Sequence, residues 1–299
     1  MKPTLVILAA GTGSRYGSFK QWDAVGPSGE TLMDYSVYDA LRAGAGKVVI
    51  VVDEENSREF RESVQNNIGR TIKLDFAFQD IRKIPAGIMY SNLRIKPWGT
   101  VHAMLMTEEI VHEPFIVINA DDFYGFPAYI AMVNFLHNST DPLEFGIVSY
   151  PVGSTCSGYG SVSRALCRID SNGYLLGVDE NYHIKRTGDK IISGEENRQA
   201  ELDPDMPVSM NIWGFKPSVF PKIRELFRSF IEENHHSLKA ELVLSEAVNC
   251  MIKSGFARVK VLCNCSQWFG ITYKEDKHVV MAKIRELTNK GDYPGNLFP

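Results

Sequence analysis

Apolar residues follow two different periods along the chain, and the first half alternates between them. Unbroken apolar runs at 5–8, 48–52 and 115–118 are typical of strands buried on both faces of a parallel sheet. Between these runs apolar residues recur at helical spacing, and glycines stand where a helix would end. We therefore predict strands over 5–8, 48–52, 73–79 and 115–119, and helices over 31–43, 57–67 and 101–110. Strand, helix and strand in this order predict a right-handed crossover and a parallel sheet.

The second half of the chain mixes shorter strands, turns and amphipathic helices. A turn at 171–173 separates two short strands, and the polar stretch 187–205, with its glycines and proline, predicts a mobile loop. The remaining predicted elements are strands over 145–150, 208–215 and 259–263, and helices over 128–136, 221–233, 240–251 and 275–287. Together the elements predict one α/β domain, 1–299, with a mixed, mostly parallel sheet flanked by helices.

The composition and net charge limit the kinds of protein and partner that the chain suits. With 44% hydrophobic and 23% charged residues, the 299-residue chain suits a globular protein with a sizeable core. The net charge of −4 lacks the basic excess expected of a protein whose main partner is nucleic acid or an anionic membrane. The first apolar run is too short for a secretion signal, and no window is long enough to span a membrane. Five scattered cysteines suggest reduced thiols, so we expect a cytoplasmic protein.

A glycine-rich loop follows the first strand and carries the strongest chemical signal. Gly11, Gly13 and Gly17 lack a Cβ, so the backbone can turn tightly and its N–H groups can approach an anion. Arg15 adds a planar fork of donors and Lys20 a mobile point charge, which together suit a polyphosphate. The stretch therefore predicts a phosphate-binding loop.

The spacing excludes two common phosphate loops. A Walker loop needs Ser or Thr directly after its Lys, but Gln21 follows Lys20. A dinucleotide-binding loop needs a third Gly where this chain has Tyr16, and this also disfavours an oxidoreductase.

The stretch LAAGTGSRYGSFKQ, residues 8–21, resembles the signature of the nucleotidyltransferases that make NDP-sugars and related activated metabolites. The resemblance implies a Rossmann-like, GT-A-like nucleotidyltransferase fold. It also implies transfer of NMP from an NTP, with UTP or dTTP favoured, to a sugar 1-phosphate with release of pyrophosphate. Residues 1–150 would then form the nucleotide-binding half and 151–299 the acceptor half.

The resemblance assigns the loop to the NTP. Ala10, Gly11 and Gly13 would bind the nucleotide, with Arg15 on the β- and γ-phosphates and Lys20 on the charge at the α-phosphate.

The resemblance also implies a base pocket. Gln79 would bond the pyrimidine edge, and Gly99 and Thr100 would pack beneath the base. Thr100 is an equally good N-cap for the helix that follows, and both roles are compatible.

Two adjacent carboxylates, Asp121 and Asp122, follow the strand 115–119 at the sheet edge where open α/β sheets bind ligands. A divalent cation would relieve their repulsion, and Mg²⁺ prefers one or two carboxylates together with phosphates. The resemblance implies Asp121 as the Mg²⁺ ligand, with Asp122 in reserve, whereas capping of a helix near Pro127 is the structural alternative. Members of the family usually carry a second metal-binding Asp or Asn where this chain has Phe269 and Gly270.

The acceptor half matches the family less closely. Gly160 would supply an amide to the sugar, Glu180 would accept its hydroxyls, and Asn211 would contact its ring. Asn181 stands where a Lys for the acceptor phosphate is expected, so Lys185 or Arg186 would have to replace that charge.

Other interpretations stay open. A cytidylyltransferase for an alcohol phosphate such as phosphocholine shares the loop, and a catalytically silent, nucleotide-binding regulatory protein is the alternative from another class. The expected partners are an NTP and a phosphorylated small-molecule acceptor, not nucleic acid or a membrane. Trp98, Tyr293 and Phe298 suggest a homo-oligomeric interface.

Overall fold

The computed structural model describes residues 1–11, 23–53, 57–195, 199–262 and 266–299. In its first half the elements are β1 (Thr4–Leu8), α1 (Leu32–Ala43), β2 (Lys47–Val52), α2 (Arg58–Asn67), β3 (Lys73–Phe78), α3 (Thr100–Leu105), β4 (Phe115–Asn119), β5 (Asp122–Phe123) and α4 (Phe126–Asn138). In its second half they are β6 (Glu144–Pro151), β7 (Val162–Ile169), β8 (Leu175–Thr187), β9 (Lys190–Ser193), β10 (Ala200–Leu202), β11 (Pro207–Phe215), α5 (Phe220–Asn234), α6 (Leu244–Lys253), β12 (Arg258–Leu262), β13 (Phe269–Gly270) and α7 (Asp276–Asn289).

One mixed sheet runs through both halves of the described chain. Its main path is β10-β9-β8-β7-β11-β4-β1-β2-β3, and β6 joins β11 with β12 beyond it. The β4-β1-β2-β3 section is parallel, while β11 pairs with β4 in the antiparallel direction. The register pairs Leu8 with Asn119, so the glycine loop leaves β1 beside the end of β4. The predicted mixed sheet flanked by helices is confirmed, with its parallel strands in the central section.

The unbroken apolar runs reflect a core on each face of the sheet. Leu5 and Ile7 belong to one apolar cluster and Val6 to another, and all three are fully buried. Because successive strand residues point to opposite faces, a strand covered on both sides needs apolar residues at every position. A third cluster, which includes Tyr35 and Val280, joins α1 to α7 and the small β5–β13 sheet.

The ends of α1 follow local chemistry. The Thr31 hydroxyl accepts from the Asp34 N–H, and the Asp34 carboxylate accepts from the Thr31 N–H, which forms a capping box. Gly44 ends the helix in the left-handed region at φ 109°. A glycine here adopts at little cost a conformation that other residues reach only with strain.

Some predicted boundaries are wrong. Residues 187–205 contain β9 and β10, which extend the sheet from β8, so the predicted loop is partly strand. The predicted helix 240–251 begins only at Leu244, because the preceding residues pair with the segment before α3. There the Leu242 N–H donates to the Trp98 carbonyl over 2.9 Å. The predicted helix 101–110 ends at Leu105.

The residues that suggested an interface pack within this chain. Trp98 and Tyr293 are buried, and Phe298 packs against the third cluster. The Tyr293 hydroxyl donates to Asp39 over 2.7 Å, which holds the C-terminal segment on α1. Their apolar character is thus explained without a second copy, and a homo-oligomer stays a prediction. Across the described ranges, every helix is too short or too polar to cross a membrane.

Candidate active site

A cavity of about 300 Å³ opens at the end of β4, between β7, β8, β11 and the start of α6. Its polar lining includes Asn119, Asp121, Asp122, Arg164, Glu180 and Asn211. The structure thus brings together four residues that were predicted from the sequence and that come from both halves of the chain: Asp121, Asp122, Glu180 and Asn211. The predicted residue Thr100 also lines the cavity.

Asp122 is the buried member of the carboxylate pair. Its Oδ2 accepts from Asn119 Nδ2 over 2.9 Å and from the Tyr124 hydroxyl over 3.2 Å. Burial, followed by the charge of Asp121, raises the pKa of Asp122 to about 7, while the Asn119 hydrogen bond opposes the shift. A divalent cation fits this pair, because two neighbouring carboxylates with little access to water repel each other until a positive charge joins them.

The helix-capping alternative for these carboxylates is wrong. The N-cap of α4 is Gly125, and no side chain bonds to that helix end. Both carboxylates line the cavity instead. In the described ranges, no group of three or more His, Cys, Asp and Glu residues forms a ready-made metal site, so phosphate or water oxygens would complete the coordination.

Gly270 provides the space that Asp122 occupies. β13 pairs with β5 so that Gly270 lies opposite Asp122. A Cβ on Gly270 would collide with Asp122 Oδ1 and would lie 2.9 Å from the Trp268 ring. The segment in which the sequence lacks the expected carboxylate therefore has the Asp122 carboxylate packed over it.

Asn211 lies on the opposite side of Asn119 from Asp122. Its backbone has φ 66°, at a bulge of β11, and its Nδ2 donates to Asn119 Oδ1 over 2.6 Å. Asn211 Oδ1 accepts from Trp213 Nε1 over 2.9 Å. A chain of hydrogen bonds thus runs from Trp213 through both amides to Asp122. Asn119 was missed by sequence reasoning, although its place two residues before the first carboxylate was a usable signal.

Glu180 is held from α6. Its Oε1 accepts from the Ser245 hydroxyl over 2.5 Å. The Thr100 hydroxyl accepts from the Leu244 N–H over 2.9 Å, at the first residue of α6. Thr100 therefore supports the start of α6, and the prediction that it caps its own helix is wrong, because Gly99 holds the N-cap position of α3. Ser245 was also missed, since its partner is distant in sequence.

Gln79 and Gly99 meet outside the lining of this cavity. Gln79 Nε2 donates to the Gly99 carbonyl over 3.0 Å and lies 3.4 Å from His102 Nδ1. His102 Nε2 donates to the Lys83 carbonyl over 2.8 Å, and burial lowers the pKa of His102 to about 4. The ring is therefore neutral, with Nδ1 left to accept from Gln79. The predicted pair is adjacent in space, while its contact with a base stays a prediction.

Gly160 and Lys185 do not join the cavity. A Cβ on Gly160 would lie 2.5 Å from the Tyr273 hydroxyl, which donates to the Ser161 carbonyl over 2.6 Å. Lys185 lines a different cavity, together with Ser161 and His183. The strand β8 carries Lys185 past the predicted site, so its acceptor role loses its geometric support.

The glycine loop is described only at its start. Ala10 is buried and Gly11 is exposed, directly after β1. Gly13, Arg15 and Lys20 lie outside the described residues.

Arg164 on β7 is the cation that sequence reasoning missed. Its Nη1 donates to the Ser163 carbonyl over 2.8 Å and its Nη2 to the Thr155 carbonyl over 2.6 Å. The guanidinium lies 5.1 Å from the centroid of the Trp268 ring. Within the described ranges, Arg164 is the single Lys, Arg or His residue in the lining of the cavity.

Solved structures share this architecture. The inositol-1-phosphate CTP transferase of T. maritima has a TM-score of 0.63 and 16% identity, covering 95% of this chain and 97% of that one. A Bacillus anthracis protein described as a glucose-1-phosphate thymidylyltransferase, in complex with sucrose, has a TM-score of 0.61 and 17% identity, covering 95% of each chain. A UDP-glucose pyrophosphorylase complexed with UDP-glucose has a TM-score of 0.60 and 15% identity, covering 96% and 99%. At these identities the likeness concerns the fold.

The family follows from the sequence itself. No curated protein sequence matches the chain. A family model described as nucleotidyl transferase matches residues 4–180, which is more than half of the 299 residues. The match covers the glycine loop, both carboxylates and Glu180. The chain therefore belongs to the nucleotidyl transferase family, whose members are enzymes that transfer a nucleotide to a phosphorylated substrate.

Proposed function

We propose that this protein transfers NMP from an NTP, with UTP or dTTP favoured, to a sugar 1-phosphate and releases pyrophosphate. The cavity that joins Asp121 and Asp122 to Glu180 carries the proposal. It offers carboxylates for a metal–phosphate complex at one side and a fixed carboxylate for sugar hydroxyls at the other. The division into a nucleotide half, 1–150, and an acceptor half, 151–299, belongs to this proposal, and lining residues from both halves support it.

The reaction needs no protein nucleophile. An oxygen of the acceptor phosphate attacks the α-phosphorus, a new O–P bond forms, and the bond to the β-phosphate oxygen breaks. Pyrophosphate leaves with that electron pair. A phosphate monoester is already ionised, so no base has to remove a proton, and catalysis depends on position and charge.

The NTP phosphates are assigned to the glycine loop. Backbone N–H groups of Ala10, Gly11 and Gly13, with Arg15, would hold the β- and γ-phosphates, and Lys20 would face the α-phosphate. The register of β1 with β4 supports this assignment, because it starts the loop beside the strand that ends in the carboxylates.

Mg²⁺ is the proposed cofactor, with Asp121 as its ligand and Asp122 as the second carboxylate. When bound, it would neutralise charge on the phosphates. Asn119 and Tyr124 orient the Asp122 carboxylate for this role through their hydrogen bonds. The burial that raises the pKa of Asp122 is the observation that favours a cation here.

The base and the sugar would lie on opposite sides of the carboxylates. Gln79, Gly99 and Thr100 are the proposed base contacts. Glu180 is the proposed partner of a sugar hydroxyl, since the Ser245 hydrogen bond fixes its position.

Among the other predicted acceptor residues, Asn211 lies in the cavity and orients Asn119, which favours a supporting role beside the substrate. Gly160 and Lys185 lie outside the cavity and are weaker candidates.

A second candidate is cytidylyl transfer to an alcohol phosphate. The T. maritima inositol-1-phosphate CTP transferase supports it, because this chain resembles that fold as closely as it resembles the sugar-phosphate enzymes. A silent nucleotide-binding protein is the third reading, and it rests on the changes at Asn181 and Gly270.

One assay separates these functions. Pyrophosphate release with Mg²⁺ is measured for UTP, dTTP, CTP, ATP and GTP against a panel of sugar 1-phosphates, inositol 1-phosphate and phosphocholine. Release with UTP or dTTP and a sugar 1-phosphate is expected, and Asp121→Asn should abolish it. Release only with CTP and an alcohol phosphate would select the second candidate. Calorimetric NTP binding without release from any pair would contradict both enzymatic proposals and favour the silent protein.

A further inference from the structure

The proposed acceptor brings a charge problem to the cavity. Asp121, Asp122 and Glu180 all line it, and a sugar 1-phosphate adds a dianion. Three carboxylates and a phosphate in one small cavity repel each other unless cations face them. Mg²⁺, Arg15 and Lys20 are assigned to the NTP, so the acceptor phosphate needs a cation of its own.

We propose that Arg164 binds the phosphate of the acceptor. This inference rests on the proposed function, and it names the residue that holds the attacking phosphate. Arg164 is the one Lys, Arg or His that lines the cavity in the described part of the chain.

The position of Arg164 suits this role. It lies on β7 opposite Asn181 of β8, and the next pair along the ladder joins Ala165 to Glu180. The residue proposed for the hydroxyls and the residue proposed for the phosphate therefore lie on neighbouring strands. Directly opposite residues in an antiparallel pair lie on the same face of the sheet with Cβ atoms about 5 Å apart, so Arg164 stands on the face where Asn181 replaces the expected Lys. Arg164 can thus supply the charge that Asn181 lacks.

The guanidinium is also fixed in place before a ligand arrives. The Ser163 and Thr155 carbonyls accept from its two terminal nitrogens, and the Trp268 ring lies beside it. Arginine presents its donors in a planar fork that matches phosphate oxygens. A fork already held by backbone carbonyls loses little conformational freedom on binding.

The cations suggested by the sequence do not compete for this role. Lys185 lines the separate cavity beside Ser161 and His183. Arg186 is exposed, and its Nη2 donates to the Gly153 carbonyl over 2.7 Å. Both follow Glu180 along β8 toward its pairing with β9, away from the carboxylates.

Steady-state kinetics with the acceptor found by the pyrophosphate assay test this inference. Arg164→Gln should raise the KM for the acceptor at least about tenfold, the size expected for one lost charge-assisted hydrogen bond, and should leave the KM for the NTP within twofold. Arg164→Lys keeps the charge without the fork, so its acceptor KM should lie between those of wild type and Arg164→Gln. Adding Asn181→Lys to Arg164→Gln should lower the acceptor KM again, because it returns the charge from the opposite strand.

The control is Arg168→Gln, which removes an exposed arginine of the same strand that pairs with Asp179. It should change neither KM. Thermal melting shows whether each variant is folded. If Arg164→Gln does not fold, the KM of Arg164→Lys for the acceptor tests the inference by itself.

Three results would overturn the inference. An unchanged acceptor KM in a folded Arg164→Gln or Arg164→Lys enzyme would leave the proposed function standing and remove Arg164 from it. A raised acceptor KM with Lys185→Gln instead would assign the phosphate to the other cavity. If the wild type released no pyrophosphate with any pair, the proposed function would fail, and the role of Arg164 would fail with it.

Discussion

Asp39 on α1 is a buried carboxylate whose removal should stabilise the protein at neutral pH. Its side chain is 1% exposed, its Oδ2 accepts from the Tyr293 hydroxyl, and its Oδ1 lies 3.7 Å from Arg42. Burial raises its pKa from the ordinary 3.8 to about 7, and the Tyr293 hydrogen bond and the Arg42 charge only partly oppose this. The folded protein therefore retains a proton that the unfolded chain releases.

The sign and size of the effect follow from that difference. Between about pH 4 and pH 7 the folded state binds more protons than the unfolded state, so the free energy of unfolding falls as pH rises, and above pH 7 the contribution is constant. The shift corresponds to roughly 4 kcal/mol at about 1.36 kcal/mol per pH unit. Asp39→Asn removes the titration and keeps an acceptor for Tyr293, but it places an amide near Arg42. We therefore expect a gain of about 2 kcal/mol at pH 8, roughly half of the full shift.

Urea unfolding of wild type and Asp39→Asn from pH 4 to pH 8 measures this directly. The difference in unfolding free energy between the two proteins should grow from pH 4 to pH 7 and then level off. Asp189→Asn, at an exposed turn carboxylate, is the matched control and should show no such growth. A difference for Asp39→Asn that is the same at pH 5 and pH 8 would refute the reasoning.

Three further substitutions test other parts of the structure. Gly99→Ala should lower the free energy of unfolding by more than about 2 kcal/mol in urea titration, because the new Cβ would collide with a backbone carbonyl and φ is 100°. In the control Gly87→Ala, φ is 88° but the space around the residue is open, so the free energy of unfolding should fall by only about 1 kcal/mol. Gly270→Ala should displace the Asp122 carboxylate and weaken Mg²⁺ binding at least about tenfold by calorimetry, and unchanged binding would contradict the proposed metal site. Lys20→Ala should lower kcat about a hundredfold or more, as the loss of a transition-state charge contact does, and near-full turnover would exclude its role at the α-phosphate.

The parallel half of the fold could be predicted because its strands are buried on both faces. Residues 48–52 of β2, for example, are all buried and all apolar, so the run is unbroken. Strands β9 and β10 gave no such signal, because they are the last two strands at one end of the sheet. They carry exposed polar residues such as Lys190 and Glu201, which pair over 2.7 Å. The start of α6 was misjudged for a related reason. It is set by hydrogen bonds to the segment at 98–101, which lies far away in sequence.

The residues of the candidate site also differ in whether a local sequence pattern reveals them. Asp121 and Asp122 were found because they closely follow a recognisable strand, with one residue between, and that position alone places them at the sheet edge. Arg164 was missed because its place in the cavity depends on the pairing of β7 with β8, which no local pattern encodes. Lys185 lines a different cavity because β8 is long, with 13 residues, so its role at the acceptor stays a prediction without support from the geometry.

The absence of a carboxylate at Gly270 bears on whether the protein is an active enzyme. Taken from the sequence alone, it favours a silent regulatory protein, since one expected metal ligand is missing. In the structure the Asp122 carboxylate fills the space over Gly270. A side chain at position 270 would displace that carboxylate. The missing carboxylate and the second Asp of the pair are therefore parts of one packing arrangement, in which the negative charge comes from β5 instead of β13. Because the charge is kept at the cavity, the glycine is compatible with a functional metal site, and this sequence departure alone does not argue against turnover.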